Sequence, residues 1–128
     1  MAEHAYSFPK GKRVRSRLDF SAVFDAKVRH SRGPLIAYAI PSEHKTSRLG
    51  LSVSRRVGTA PRRNRIKRML REAFRLMQAD FPRSYDMVIV VRPHEPMILA
   101  EYQRSLSHLM LKLHQRFAGD DPNAGRAR

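Results

Sequence analysis

Between residues 62 and 71, six cations (Arg62, Arg63, Arg65, Lys67, Arg68 and Arg71) crowd a stretch whose nearest acid is Glu72. Wound as a helix, Arg63, Lys67 and Arg71 stack at i, i+4 and i+8. Arg65 and Arg68 lie beside them and Arg62 one turn before Arg65. Ile66, Met69, Leu70, Ala73, Phe74 and Met77 form an apolar stripe on the other side. Like charges one turn apart each cost about 0.2–0.5 kcal/mol in a helix, and cations near a helix start also oppose its dipole. Phosphates relieve both penalties: Arg grips two oxygens of one phosphate, and Lys supplies a point charge. Asn64 fits a different role, since its amide can contact a base edge, a sugar hydroxyl or the backbone. Solvated charged faces normally mix signs, and this one does not. The run predicts a polyanion as ligand without separating RNA from DNA.

Aromatic residues give a second pattern. Phe20 and Phe24 fall one turn apart in a short amphipathic segment flanked by basic residues, and Tyr38 lies in an apolar run. Taken singly, each ring reads first as core. Taken together, they could line a cleft in which unpaired bases stack, worth about 1–3 kcal/mol per base.

Other chemistry finds little support. His4, His30, His44, His94, His108 and His114 are scattered and do not make a zinc-type pair at i, i+4 with a third ligand nearby. His108 and His114 read as helix-surface residues. The acids are sparse, with only Asp120 and Asp121 adjacent, and Gly58-Thr59 lacks the glycine pattern of a phosphate loop. With no cysteine, disulfides, zinc fingers and thiol nucleophiles are excluded. The residues predict neither a catalytic group nor a metal ligand in the protein itself.

The elements that position these residues follow from periodicity and breakers. A first helix is expected from Ser16, capped with Asp19 in an acidic capping box, to about Lys27. Gly33-Pro34 breaks the chain. Strands follow at Leu35–Ile40 and Arg48–Ser54, the latter with Leu49, Leu51 and Val53 on one face and the small Gly50, Ser52 and Ser54 on the other. The longest helix is expected over Thr59–Ala79, with Thr59 as cap and Pro61 in the first turn. Tyr85–Arg92 reads as an interior or parallel strand, and Met97–Phe117 as a last helix that Gly119 terminates. The order predicts helices packed on one sheet, a mixed α/β sandwich. Its 128 residues fit a single domain, expected at 16–118 between a basic arm at 1–15 and a flexible tail at 119–128. A net charge of +15 on a chain that is 41% hydrophobic points to a folded protein with a polyanionic partner. The polar, basic amino terminus is unlike a secretory signal, and a cytoplasmic location is expected.

Linked motifs now resemble a known family. Arg63-Asn64-Arg65-Ile66-Lys67-Arg68, continued to Arg71-Glu72-Ala73-Phe74-Arg75, is similar to the "RNR" helix of the bacterial ribonuclease P protein. Arg17-Leu18-Asp19-Phe20 with Val23-Phe24 resembles that family's first helix. The stretch from Arg48 to Gly58 resembles its second-strand region, and Tyr85 to Pro93 its last strand. The likeness spans about residues 10–117. Lys27 stands where many members have glycine, and Pro61 precedes the motif where an unrestricted residue is usual.

The resemblance implies a single-domain, two-layer α/β sandwich like domain 2 of ribosomal protein S5. It implies a mixed sheet of about four strands, three helices and a left-handed βαβ crossover, where general rules favour the right hand. It implies a subunit of ribonuclease P that binds the catalytic RNA and the 5′ leader of precursor tRNA, with the active site and most of the Mg²⁺ on the RNA. Neither a membrane nor a protein partner is expected. By position, Phe20, Phe24 and Tyr38 fall where the family lines its leader cleft, with Lys67 and Arg71 bordering it. Arg62, Arg63, Asn64, Arg65 and Arg68 fall in the motif that contacts the RNA subunit, and Arg55 and Arg56 are additional RNA contacts. Two alternatives remain: a non-enzymatic RNA-binding protein of ribosomal or chaperone type, and a protein nuclease acting alone.

Overall fold

The computed structural model describes residues 17–120. Helix α1 (Arg17–Asp25) leads into an edge strand β1 (Arg29–Arg32), which turns back into β2 (Leu35–Pro41). β3 (Arg48–Val53) runs through a short 3₁₀ turn (Arg55–Val57) into α2 (Ala60–Met77). After a second 3₁₀ turn (Gln78–Asp80), β4 (Tyr85–Val91) and α3 (Leu99–Asp120) complete the chain. Ser16 and the side chain of Asp19, and with them the capping pair, lie outside what is described, as do the arm at 1–15 and the tail beyond 120.

The sheet order is β1-β2-β4-β3. β2 is antiparallel to both β1 and β4, while β3 pairs β4 in parallel. β3, α2 and β4 therefore form a strand–helix–strand unit whose two strands lie side by side. The mixed four-strand α/β architecture agrees with expectation. β4 is central, and six of its seven residues are buried, which explains why its apolar run lacks alternation.

Alternation along the other strands assigns the two faces. Leu35, Ala37, Ala39, Leu49, Met87, Ile89 and Val91 point into the main core, where they meet Ile66, Leu70, Ala73 and Phe74 of α2 and Tyr102, Leu106, Leu109 and Leu113 of α3. Full burial of each large side chain contributes about 1.5–3 kcal/mol. Tyr38, Ile40 and Val88 point the other way and pack against Phe20, Val23 and Phe24 of α1. The two long helices thus cover one face, and the short helix lies over β2 and β4 on the opposite one.

One strand was missed and several boundaries differ from the sequence reading, most of the strand ends by a single residue. β1 was not anticipated, because Arg-His-Ser-Arg carries no apolar alternation; its pairing with β2 creates it. Gly33, at φ +56°, supplies the positive φ that its two-residue hairpin loop requires. The first helix stops at Asp25, not Lys27, and Lys27 takes a left-handed conformation at φ 57°. α2 ends at Met77 and tightens into the 3₁₀ turn at Gln78–Asp80, as final helical turns often do. α3 begins at Leu99 and runs through Gly119 to Asp120, so glycine at that point does not end the helix. The expected cap of α2 is present: the Thr59 hydroxyl accepts the Arg62 N–H at 3.4 Å, with Pro61 in the first turn.

Candidate nucleic-acid interface

The three rings singled out in the sequence come together across the α1–β2 junction. Phe20 and Phe24 meet edge-on with centroids 6.3 Å apart, and Phe24 meets Tyr38 edge-on at 4.9 Å. Val23 and Val88 beneath them are fully buried, yet all three rings remain partly open to solvent. They are neither plain core nor isolated surface residues: each packs against a neighbouring ring and stays half-exposed.

Cations frame these rings. The Arg29 guanidinium lies 5.9 Å from the Tyr38 ring centroid and donates to the Tyr38 hydroxyl at 3.2 Å. Phe24, Lys27, Arg29 and Tyr38 line an open groove of about 480 Å³. A second depression of about 330 Å³ lies past Arg29, lined by His30, Ser31, Ile36 and Arg92. Arg29 was not singled out from the sequence, and Lys27 only as a departure from the family's usual glycine. Their signal as site residues was a pair of cations just after an aromatic helix, Lys27 ahead of β1 and Arg29 on it, a strand that was itself not recognised.

Lys27 is held in place by the end of α1: its N–H donates to the Phe24 carbonyl at 3.0 Å. A left-handed residue at this position is usually glycine, because a Cβ there costs about 1–2 kcal/mol. Here a strained lysine stands beside the rings.

The same sheet face holds one neutralised charge pair. Arg48 grips Asp86 across β3 and β4 through two bonds, at 2.8 and 2.6 Å, with both side chains largely buried. This two-pronged geometry satisfies both partners in a site where either alone would be costly.

The basic helix lies on the other side of the sheet. α2 packs on β3 and α3, whereas α1 packs on β2 and β4. Lys67 and Arg71 are half-buried on α2, on the opposite side of the sheet from α1 and its rings. The exposed Arg55 and Arg56 sit in the turn joining β3 to α2. Of the residues expected to contact an RNA subunit, two have internal partners. Arg62 pairs with Glu95 at 3.3 Å, and Arg63 Nε donates to the Gly58 carbonyl at 3.2 Å. Asn64, Arg65 and Arg68 are exposed, and no side-chain hydrogen bond or ion pair engages them among the described residues. The only carboxylate–cation pair within α2 itself, among those residues, joins Glu72 to Arg75. Most of the helix's charge is therefore not compensated from within.

Three histidines prove to be structural contacts. His94 bridges the Arg92 carbonyl at 2.8 Å and the Tyr102 hydroxyl at 2.8 Å. Since a carbonyl only accepts, Nδ1 carries the proton and, in the neutral ring, Nε2 accepts from the tyrosine. Burial pushes the Tyr102 hydroxyl above its ordinary pKa, against the Met97 N–H and the charge of Arg65. His114 meets the Tyr85 hydroxyl at 2.7 Å. His108 packs against His30 of β1, with ring centroids 5.8 Å apart. His108 and His114 lie half-exposed on α3, in keeping with helix-surface positions, and each also makes a tertiary contact that the linear pattern did not show.

No group of three or more His, Cys, Asp or Glu side chains among the described residues could hold a metal ion. No helix among them is long and apolar enough to cross a membrane.

Comparison with known proteins supplies context for this geometry. The family model described as Ribonuclease P matches residues 8–114. The ribonuclease P protein component of Shouchella clausii is 38% identical over 105 residues, covering 80% of this chain and 86% of that protein. Its counterpart from Desulfovibrio desulfuricans is 33% identical over 107 residues, covering 82% of each. Among solved structures, the Staphylococcus aureus RNase P protein superposes with a TM-score of 0.66 at 30% identity, covering 82% of this chain and 96% of that one. The Thermotoga maritima RNase P protein does so with a TM-score of 0.70 at 28% identity, covering 78% and 96%.

Proposed function

The chain belongs to the ribonuclease P protein family and is a subunit of ribonuclease P in tRNA processing, and from that premise we propose how its surfaces divide the work. Helix α2 docks on the ribonuclease P RNA through Asn64, Arg65 and Arg68, with Arg62, Arg63, Arg55 and Arg56 at the border. The groove beside Phe20, Phe24 and Tyr38 holds the single-stranded 5′ leader of precursor tRNA, with Lys67 and Arg71 on its far margin. The observation that supports this division is the placement of half-open rings and of a cationic helix, with Asn64, Arg65 and Arg68 exposed on it, on opposite faces of one sheet.

In this reading the protein performs no bond cleavage. Its cations screen the repulsion between two polyanions, which lets precursor and RNA subunit approach. The rings fix the leader by stacking, a contact indifferent to base identity. A leader held in line favours precursor over mature tRNA, which has no leader. Mg²⁺ supplies the hydrolytic chemistry on the RNA subunit; the described protein residues offer no cluster that fits it, so no step is assigned to a protein-bound metal.

Reconstitution with a bacterial ribonuclease P RNA at low Mg²⁺ tests the reading. Added protein should raise precursor cleavage, and an absence of gain at every protein concentration would refute it. Arg65→Ala and Arg68→Ala should each weaken binding to that RNA and reduce its log–log salt slope by about 1, with little effect on a leader oligonucleotide.

A further inference from the structure

β1 alternates its side chains across the sheet. Arg29 pairs in register with Tyr38 and joins the ring face, whereas His30 pairs with the buried Ala37 and Arg32 with the buried Leu35, on the face covered by the long helices. There β1 packs along α3. His30 meets His108, and Arg32 and Lys112 both act electrostatically on that imidazole. On α3, Arg104, His108 and Lys112 recur every four residues, which places them on one stripe. Between Glu101 and Asp120 the helix contains no acid. Glu101 is already taken by Arg104 at 2.6 Å. Among the described residues, no carboxylate pairs with Arg32 or Lys112.

We propose that Arg32 and His30 of β1, with His108 and Lys112 of α3, form a further RNA-phosphate site that tightens on acidification. It lies at the sheet edge remote from β3, so it is distinct from the α2 surface and borders the ring groove across β1. The reading rests on the proposed function, which supplies RNA as the polyanion.

Two features favour RNA phosphate over bulk solvent as the occupant. First, four groups that are cationic or can become so converge without an acid, an arrangement that an anion stabilises and water only screens. Second, the site is continuous with the ring groove. The same four-residue strand presents Arg29 to that groove and Arg32 to this site, so one strand leaving the rings crosses the edge directly onto it.

His108 gives the site its pH dependence. The groups facing His108 are Arg104 and Lys112 on its own helix and His30 and Arg32 on β1. Partial burial, then Arg32, Lys112 and His30, hold its proton affinity below the ordinary value of 6.5. A phosphate seated among them reverses that balance, so RNA binding takes up protons in the histidine range.

The test uses the full chain with ribonuclease P RNA, intact precursor tRNA and a leader oligonucleotide as separate probes, at about pH 8 and about pH 5.5. Arg32→Gln combined with Lys112→Gln removes two fixed charges at exposed or half-exposed positions, and thermal unfolding checks that the fold survives. The double variant should lower the log–log salt slope by about 1.4–1.8 for whichever RNA occupies the site. Loss confined to ribonuclease P RNA identifies it as the source of the phosphate, and loss confined to precursor tRNA identifies the substrate. Acidification should tighten wild-type binding severalfold more than binding by His108→Gln. Unchanged slopes for all three probes, or the same pH response in wild type and His108→Gln, would overturn the proposal. If Arg65→Ala weakens binding while the double variant does not, this site falls and the proposed function stands. Failure of the wild type to bind any of the RNAs removes both.

Discussion

At the scale of single residues, partial exposure decides what the rings do. A fully buried phenylalanine truncated to alanine costs about 3–5 kcal/mol, but Phe20 is only partly buried. Phe20→Ala should therefore cost less stability than that, measured by thermal unfolding. It should weaken a leader oligonucleotide by about 1–3 kcal/mol and leave affinity for ribonuclease P RNA unchanged. Lys27 makes the opposite trade. Relieving its φ of 57° with Lys27→Gly should stabilise the protein by about 1 kcal/mol, seen as a rise in Tm, while removing a cation from the groove lowers leader affinity. A variant that is both more stable and equally tight would show that the strain serves nothing at the groove.

At the scale of elements, the start of α2 is the sensitive joint. Gly58 has a φ of +150°, and a Cβ there would stand 2.5 Å from Arg62 Cδ. Gly58→Ala should destabilise the protein by about 1–3 kcal/mol and displace Arg62 from Glu95, with weaker binding to ribonuclease P RNA. Helices α2 and α3 and strand β3 were legible from apolar patterns of a single period, β2 and β4 from short apolar runs bounded by breakers, and Thr59 and Pro61 announced a helix start. β1 was not legible: four polar residues acquire strand geometry only from the partner that β2 provides. The site was half legible for a related reason. Phe20, Phe24 and Tyr38 could be picked out by type and spacing, but Arg29 joins them through cross-strand register. Charge density likewise marked α2 without showing that Arg62 and Arg63 spend part of their bonding capacity on Glu95 and Gly58. The capture of His94 by Tyr102 and of His114 by Tyr85 depends on tertiary approach that a linear pattern does not encode.

At the scale of the whole molecule, the charge excess makes stability depend on the medium. His108 has a proton affinity below 6.5 in the folded chain and an ordinary one when unfolded. The unfolded state therefore binds more protons as the pH drops below the ordinary value, and folding stability contributed by this group is full above it and lost as pH falls through the folded value. Thermal unfolding of the free protein should show a Tm that declines on acidification, and His108→Gln should flatten the decline; an equal slope in both proteins would place the effect elsewhere. Added salt should raise the Tm by screening like charges. The sheet itself has one more consequence. Because it stands between the rings and Asn64, Arg65 and Arg68 of α2, an occupant confined to the rings and one confined to those three residues do not compete for the same ground. Saturating one compartment with a short oligonucleotide should leave the other's capacity intact, so the protein works as a two-sided adaptor rather than a single basic patch.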